Sequence, residues 1–276
     1  MTTASQGSGL VEAAASTAES APMGWVARLG LTARAVIYLV MGWLAIVVAL
    51  GGRAKVDQRG ALTELLNKPL GTVLVIVMLL GFVAYALWRF SEAAFGVDGD
   101  TSMAVRAKSL LRGLAYSIFA VGAVLLLLGA REPQAKEQAE LARTTLDIPG
   151  GQWILGLFGA AIAVAGVIMI VEGFTTAFLK YFDYLPAGRR KAVVLLGRIG
   201  TVARGLVFLI AGGLVVIGAL SRDPSRAGGI NEVVQTTLDQ PMGAALVFMM
   251  GAGLLIFGAY GLAEAAWRRV PNGQSS

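Results

Sequence analysis

The sequence contains no cysteine and no histidine. The first absence excludes disulfides, thiolate nucleophiles, iron–sulfur clusters and thiolate zinc sites. The second excludes His-ligated haem, histidine metal sites, a Ser-His triad and a histidine pH switch. Charge is scarce too. Of 276 residues 14% are charged and 56% hydrophobic, against about 25% and 45–50% in an ordinary soluble domain. That balance excludes a collagen-like chain, a disordered chain and a soluble enzyme of usual composition. A mean hydropathy of +0.71 and 36 glycines fit helices packed closely in lipid, where small residues let backbones approach. No metal and no cofactor is expected.

Six uncharged runs are present, at 35–52, 69–88, 113–130, 148–171, 205–221 and 240–263. Each reaches, or nearly reaches with its first flanking turn, the ~20 apolar residues that cross a hydrocarbon core of about 30 Å. Taken alone, the first could pass for a signal peptide, but it belongs to a repeat, which argues against cleavage. Residues 1–22 are rich in Ala, Ser, Thr and Gly, carry only Glu12 and Glu19 as charges, and read as a disordered cytoplasmic tail.

The spans fall into three repeats of two. Each repeat opens with two basic residues six apart: Arg28 and Arg34, Arg106 and Arg112, Arg198 and Arg204. The second arginine is followed at once by a small residue (Ala35, Gly113, Gly205). Four residues on stands an aromatic ring (Tyr38, Tyr116, Phe208), and eight on another small residue (Gly42, Ala120, Gly212). These offsets place arginine, ring and small residue on one helix face. Another arginine closes each first span, at Arg53, Arg131 and Arg222. The second spans begin at Pro69, Pro149 and Pro241, with a glycine two residues on, and proline is tolerated in a first helical turn. Twenty-three residues after each proline comes a glutamate: Glu92, Glu172 and Glu264. The implied organisation is repeat 1 at 23–100, repeat 2 at 101–180, a basic linker at 181–192 with Arg189, Arg190 and Lys191, repeat 3 at 193–270 and a tail at 271–276.

Between the spans of each repeat, the segments 61–68, 138–148 and 230–240 read as short amphipathic helices lying on the membrane or capping the bundle. If the N-terminus is cytoplasmic, 14 of the 23 Lys and Arg residues lie on that side and 9 on the other, while the acids divide 8 to 9. The positive-inside bias places both termini in the cytoplasm and the short helices on the outer face. The net charge of +6 then sits on the inner face, where anionic lipid accounts for it without nucleic acid. Because every repeat crosses twice, all copies enter from the same side, which predicts six helices as three parallel repeats around a pseudo-three-fold axis along the membrane normal.

The paired arginines before a Tyr- and Gly-bearing span, the Pro-x-Gly opening of the next and its closing glutamate, three times over, resemble the bacterial membrane family catalogued as domain of unknown function 1206. The likeness covers about residues 24–270 and implies three tandem two-helix units in a bacterial inner (plasma) membrane. It implies no activity. Phe208 departs from the tyrosine of the other copies.

From Gly71 to Glu92 a helix runs roughly 31 Å, so each glutamate returns to the face where the arginines start. The expectation is an arginine–carboxylate pair at the inner boundary of each unit, within a repeat or between neighbours, drawn from Arg34, Arg112, Arg204, Glu92, Glu172 and Glu264. Such pairs read first as staples that fix helix register. A ring that gates or binds an anionic head group is the functional alternative. Ionisable residues are absent from the middles of all six runs, which disfavours an ion-coupled carrier. No Ser-His, paired-Asp or metal constellation can be assembled, and every lysine lies in a flank, so no retinal Schiff base is available. The sequence therefore reads as a non-enzymatic scaffold or lipid- or partner-binding bundle, with small-solute or ion permeation as the alternative.

Overall fold

A computed structural model describes residues 21–96, 101–130, 132–182 and 185–268. The tail at 1–20, Arg131 and residues 269–276 lie outside the described residues. Within them the chain folds into nine α-helices: α1 (Ala21–Ala49), α2 (Gln58–Leu66), α3 (Gly71–Phe95), α4 (Met103–Leu127), α5 (Gln134–Asp147), α6 (Gly151–Thr175), α7 (Ala187–Ser221), α8 (Gly229–Leu238) and α9 (Gly243–Trp267). Six of these, α1, α3, α4, α6, α7 and α9, are long and apolar enough to cross a membrane. They fall into three consecutive pairs, joined through α2, α5 and α8. The stretch 181–192, read from sequence as a linker, is helical from Ala187, because α7 runs for 35 residues behind Pro186.

The Pro-x-Gly motif has a local cause that differs from the sequence expectation. Pro69, Pro149 and Pro241 stand ahead of the helices, not in their first turns. In each turn the glycine N–H bonds the carbonyl three residues back: Gly71 to Lys68 at 2.8 Å, Gly151 to Ile148 at 3.0 Å and Gly243 to Gln240 at 2.8 Å. The residue after proline is left-handed, with φ of 61° at Leu70, 80° at Gly150 and 62° at Met242. This is a type II turn, which favours proline at its second position and needs positive φ at its third. The glycine that follows is required by space. A Cβ there would lie 2.0 Å from the Leu66 carbonyl oxygen at Gly71, 1.6 Å from that of Thr145 at Gly151 and 2.3 Å from that of Leu238 at Gly243.

The short helices gather over the end of the bundle where these turns lie. Asp57 caps α2, its Oδ1 accepting from Gly60 N at 2.7 Å. Arg59 of α2 reaches Glu137 of α5 at 2.5 Å, and Asn231 of α8 accepts from Val56 N at 3.2 Å. The three repeats are thus tied to one another at this end. The opposite end carries the arginines and glutamates.

Neighbouring spans pack in the order α4, α3, α1, α9, α7, α6. The tightest contacts join helices of different repeats. At α1–α9 a Cβ on Gly42 would stand 2.7 Å from Gly251 O, and at α6–α7 one on Gly166 would stand 2.7 Å from Gly205 O. In a lipid environment such close backbone approach is the main source of helix association. At α3–α4 aromatic rings replace glycine pairs: the Phe90 ring seats on Gly113, and Tyr85 and Tyr116 stack at 4.1 Å between centroids.

Packing within a repeat occurs in two hairpins only. In repeat 1, a Cβ on Gly30 would lie 2.5 Å from Tyr85 Cβ, and one on Gly81 would lie 2.3 Å from Ala33 Cβ. Repeat 3 repeats this contact with Gly200 on Phe257 and Gly253 on Ala203. The equivalent residues of repeat 2 are Lys108, Ala165, Ala161 and Leu111. Lysine and leucine at the crossing point hold the backbones apart, and α4 and α6 do not pack along their length. The three hairpins are therefore not equivalent, and repeat 2 is split across the two ends of the packing order.

Candidate functional site

The first arginine of each repeat does the same work three times. Arg28 donates to the carbonyls of Ala265 and Ala266 at 2.6 and 2.7 Å, Arg106 to Ala93 O at 2.8 Å and Arg198 to Phe174 O at 3.4 Å. Each thus satisfies last-turn carbonyls of the second span of another repeat, where the helix dipole also favours a cation.

The second arginines enter the bundle and behave differently. Arg34 pairs with Glu264 of α9, whose other oxygen accepts from Arg268 at 3.0 Å. Arg34 also donates to the Tyr85 hydroxyl at 3.5 Å, and Arg89 donates to the same oxygen at 2.8 Å. Arg89 continues to Glu92 at 2.5 Å, and Ser109 Oγ donates to that glutamate at 3.0 Å. One chain of polar contacts thus runs Ser109, Glu92, Arg89, Tyr85, Arg34, Glu264, Arg268 across α4, α3, α1 and α9. Five of the seven are charged side chains that could not be buried singly without large cost, and all seven are buried.

Arg112 and Arg204 receive no carboxylate. Arg112 is half-buried. Arg204 lies over three rings, with its guanidinium carbon 5.1 Å from the centroid of Tyr38, 5.0 Å from Phe208 and 4.9 Å from Phe257. Glu172 is reached by Lys108 at 3.2 Å, both side chains partly exposed. Of the six residues singled out from sequence, the structure joins only Arg34 to Glu264. The aromatic positions are all in use: Tyr38 packs edge-on to Phe257 at 4.8 Å, Tyr116 on Tyr85, and Phe208 under Arg204.

Three guanidinium groups (Arg34, Arg89, Arg268) thus hold the two carboxylates (Glu92, Glu264), while Arg112 has none and Arg204 shares only the Phe257 ring with Arg34. Four buried polar atoms here have no partner: Nε of Arg34, Arg89 and Arg204, and the Tyr260 hydroxyl. The three Nε atoms can only donate, and the hydroxyl can donate or accept. A buried donor without an acceptor costs about 1–3 kcal/mol, so the site is short of anionic or neutral acceptors. Among the described residues no group of three His, Cys, Asp or Glu side chains converges as metal ligands would. Sequence reasoning did not single out Arg89, Tyr85 or Arg268, because each occurs in one repeat only; their counterparts in repeat 2 are Met169, Ala165 and Thr176.

Comparison with known proteins fits this arrangement. A family model described as Domain of Unknown Function (DUF1206) matches residues 29–96, 107–176 and 199–268, one match per repeat. The chain belongs to this family. A DUF1206 match thus begins beside the first arginine of each repeat and ends just past its glutamate. The chain is also similar to the "Uncharacterized protein YxxB" of Bacillus subtilis (strain 168), at 27% identity over 250 residues that cover 88% of this chain and 90% of the relative. No solved structure matches.

At the opposite end lies a second polar feature, a cavity of about 870 Å³ whose lining includes Leu44, Val48, Arg53, Lys55, Asp57 and Glu132. Asp57 is buried there and its Oδ2 has no partner. Desolvation raises its pKa above the ordinary 3.8, against the pull of the Gly60 N–H, Lys55 and Arg59.

Proposed function

We propose that this protein is a non-enzymatic bundle of the bacterial inner membrane that binds phosphate-bearing anionic lipid at its arginine end, with that end facing the cytoplasm. The observation that carries the reading is the excess of cation over carboxylate: three guanidinium groups share Glu92 and Glu264, Arg112 and Arg204 have no carboxylate, and Nε of Arg34, Arg89 and Arg204 is buried without an acceptor. A phosphodiester supplies both the charge and the oxygens, and guanidinium is the side chain best matched to it. The excess of Lys and Arg on this side supports the orientation, since anionic inner-leaflet lipid attracts it.

The test is thermal unfolding in detergent with added phosphatidylglycerol or phosphatidylcholine. Phosphatidylglycerol is expected to raise the midpoint more than phosphatidylcholine, because a ligand that binds only the folded state stabilises it. Arg204→Gln removes a cation that has no carboxylate, so it is expected to shrink that difference without collapsing the fold. Equal midpoints with the two lipids in the unaltered protein would overturn the reading.

A further inference from the structure

The split hairpin of repeat 2 leaves a feature that the other repeats lack. In repeats 1 and 3 the inward face of the second span is buried: Tyr85 and Trp88 are 1% and 3% exposed, and Phe257 and Tyr260 are 4% and 3%. The equivalent face of α6 carries Ala161, Ala165 and Ile168, and Ile168 is 49% exposed; one turn nearer the start of the helix, Phe158 is 61% exposed. Across from it on α4, Leu111 is 67% exposed where Ala33 of repeat 1 is 5% exposed. The two faces are apolar and uncovered. They meet only at the arginine end, where Lys108 spans to Glu172.

That end also holds the unsatisfied charge. Arg112 lies one turn from Lys108 on the same side of α4. In repeat 1 the equivalent arginine, Arg34, pairs with the glutamate of another repeat. The corresponding glutamate for Arg112 is Glu92, which Arg89 and Ser109 already occupy. Arg112 is thus a cation without a carboxylate, next in sequence to the exposed Leu111.

We propose that one anionic phospholipid occupies the cleft between α4 and α6, its phosphate on Arg112 and Lys108 and an acyl chain against Leu111, Phe158 and Ala161. This rests on the headgroup reading above and names where the lipid enters and what holds its tail. The apolar length suits an acyl chain, and because Glu172 offsets only Lys108, Arg112 leaves a net positive charge at that end that selects a negatively charged headgroup. Closed hairpins such as repeats 1 and 3 offer no such slot. The difference comes from two residues, Lys108 and Leu111, that stand where the other copies have glycine and alanine.

The experiment uses the full chain in detergent with phosphatidylglycerol and phosphatidylcholine, and counts retained lipid by native mass spectrometry. The unaltered protein is expected to keep one phosphatidylglycerol in preference to phosphatidylcholine. Arg112→Gln is expected to weaken that preference about tenfold, the order of one charge-assisted contact. Ala161→Trp fills the slot and is expected to expel lipid of either class. Lys108→Gly with Leu111→Ala rebuilds the small crossing of the other repeats and should expel it as well, which covers the case in which the tryptophan variant fails to fold. Retention unchanged in the folded slot-filling variants sinks the cleft. If Arg204→Gln then abolishes the preference for phosphatidylglycerol, the headgroup reading survives with a different lodging. Equal retention of both lipids by the unaltered protein removes both proposals together.

Discussion

Repeat 2 and its two neighbours share their arginine, proline and glutamate spacing, yet only the neighbours close as hairpins. The difference sits at the crossing point, where Gly30 and Ala33, and again Gly200 and Ala203, allow backbone contact that Lys108 and Leu111 forbid. The contacts between repeats survive throughout: α3–α4, α6–α7 and α1–α9 are the most extensively packed pairs. The lesson is that the structural unit is the pair of helices contributed by different copies, while the two helices of one copy are free to separate. The buried apolar residues follow the same division. Those on α1, α3 and α4 form a large cluster, whereas α6 contributes Leu155 alone to a small one.

The largest effect expected from this contrast is at the glutamates. Glu264 is buried between Arg34 and Arg268, so Glu264→Gln strands two cations and should cost about 3–5 kcal/mol. Glu172 faces one half-exposed lysine, so Glu172→Gln should cost about 0–1 kcal/mol. Chemical unfolding of the two variants in one detergent measures both, and equal losses would erase the distinction between the repeats. Next in size is transplantation of repeat 2's residue into repeat 1. Gly30→Lys drives a side chain into the Tyr85 backbone and should cost about 1–3 kcal/mol or more, whereas Lys108→Ala should stay within about 0.5–1 kcal/mol. Melting midpoints check the pair.

The smallest expected effect sharpens the contrast between the two ends of the bundle. Asp57 has a folded-state pKa above its unfolded value, so its contribution is full below about the ordinary 3.8 and is lost as pH rises through the raised value. Asp57→Asn keeps the cap on Gly60 and removes the buried charge. Its melting midpoint should match the unaltered protein at the acid end and exceed it progressively toward neutral pH. A midpoint lower than the unaltered protein at pH 7 would show the carboxylate to be paired.

The sequence makes the six spans, their grouping in twos and the return of each glutamate to the arginine end legible, because the same residue types recur at fixed offsets in all three copies. That logic is blind to whatever occurs once. Arg89, Tyr85 and Arg268 each interrupt the repeat, and they are the residues that decide which cations are neutralised. Arg89 takes the glutamate that spacing would give to Arg112. Lys108 and Leu111 stand where the other copies have glycine and alanine, but the meaning of that difference depends on knowing that those offsets mark a helix crossing. The start of α7 inside the presumed linker was hidden for another reason: Arg189, Arg190 and Lys191 break an apolar run without breaking a helix.

Arg28 holding the last turn of α9 has a topological consequence. The junction between the outermost copies is made by the same kind of clasp as the junctions between consecutive ones, which is how three separate subunits would close a heterologous assembly. A version cut into three free repeats keeps these clasps between neighbours, and covalent fusion is what lets the middle member differ from its siblings.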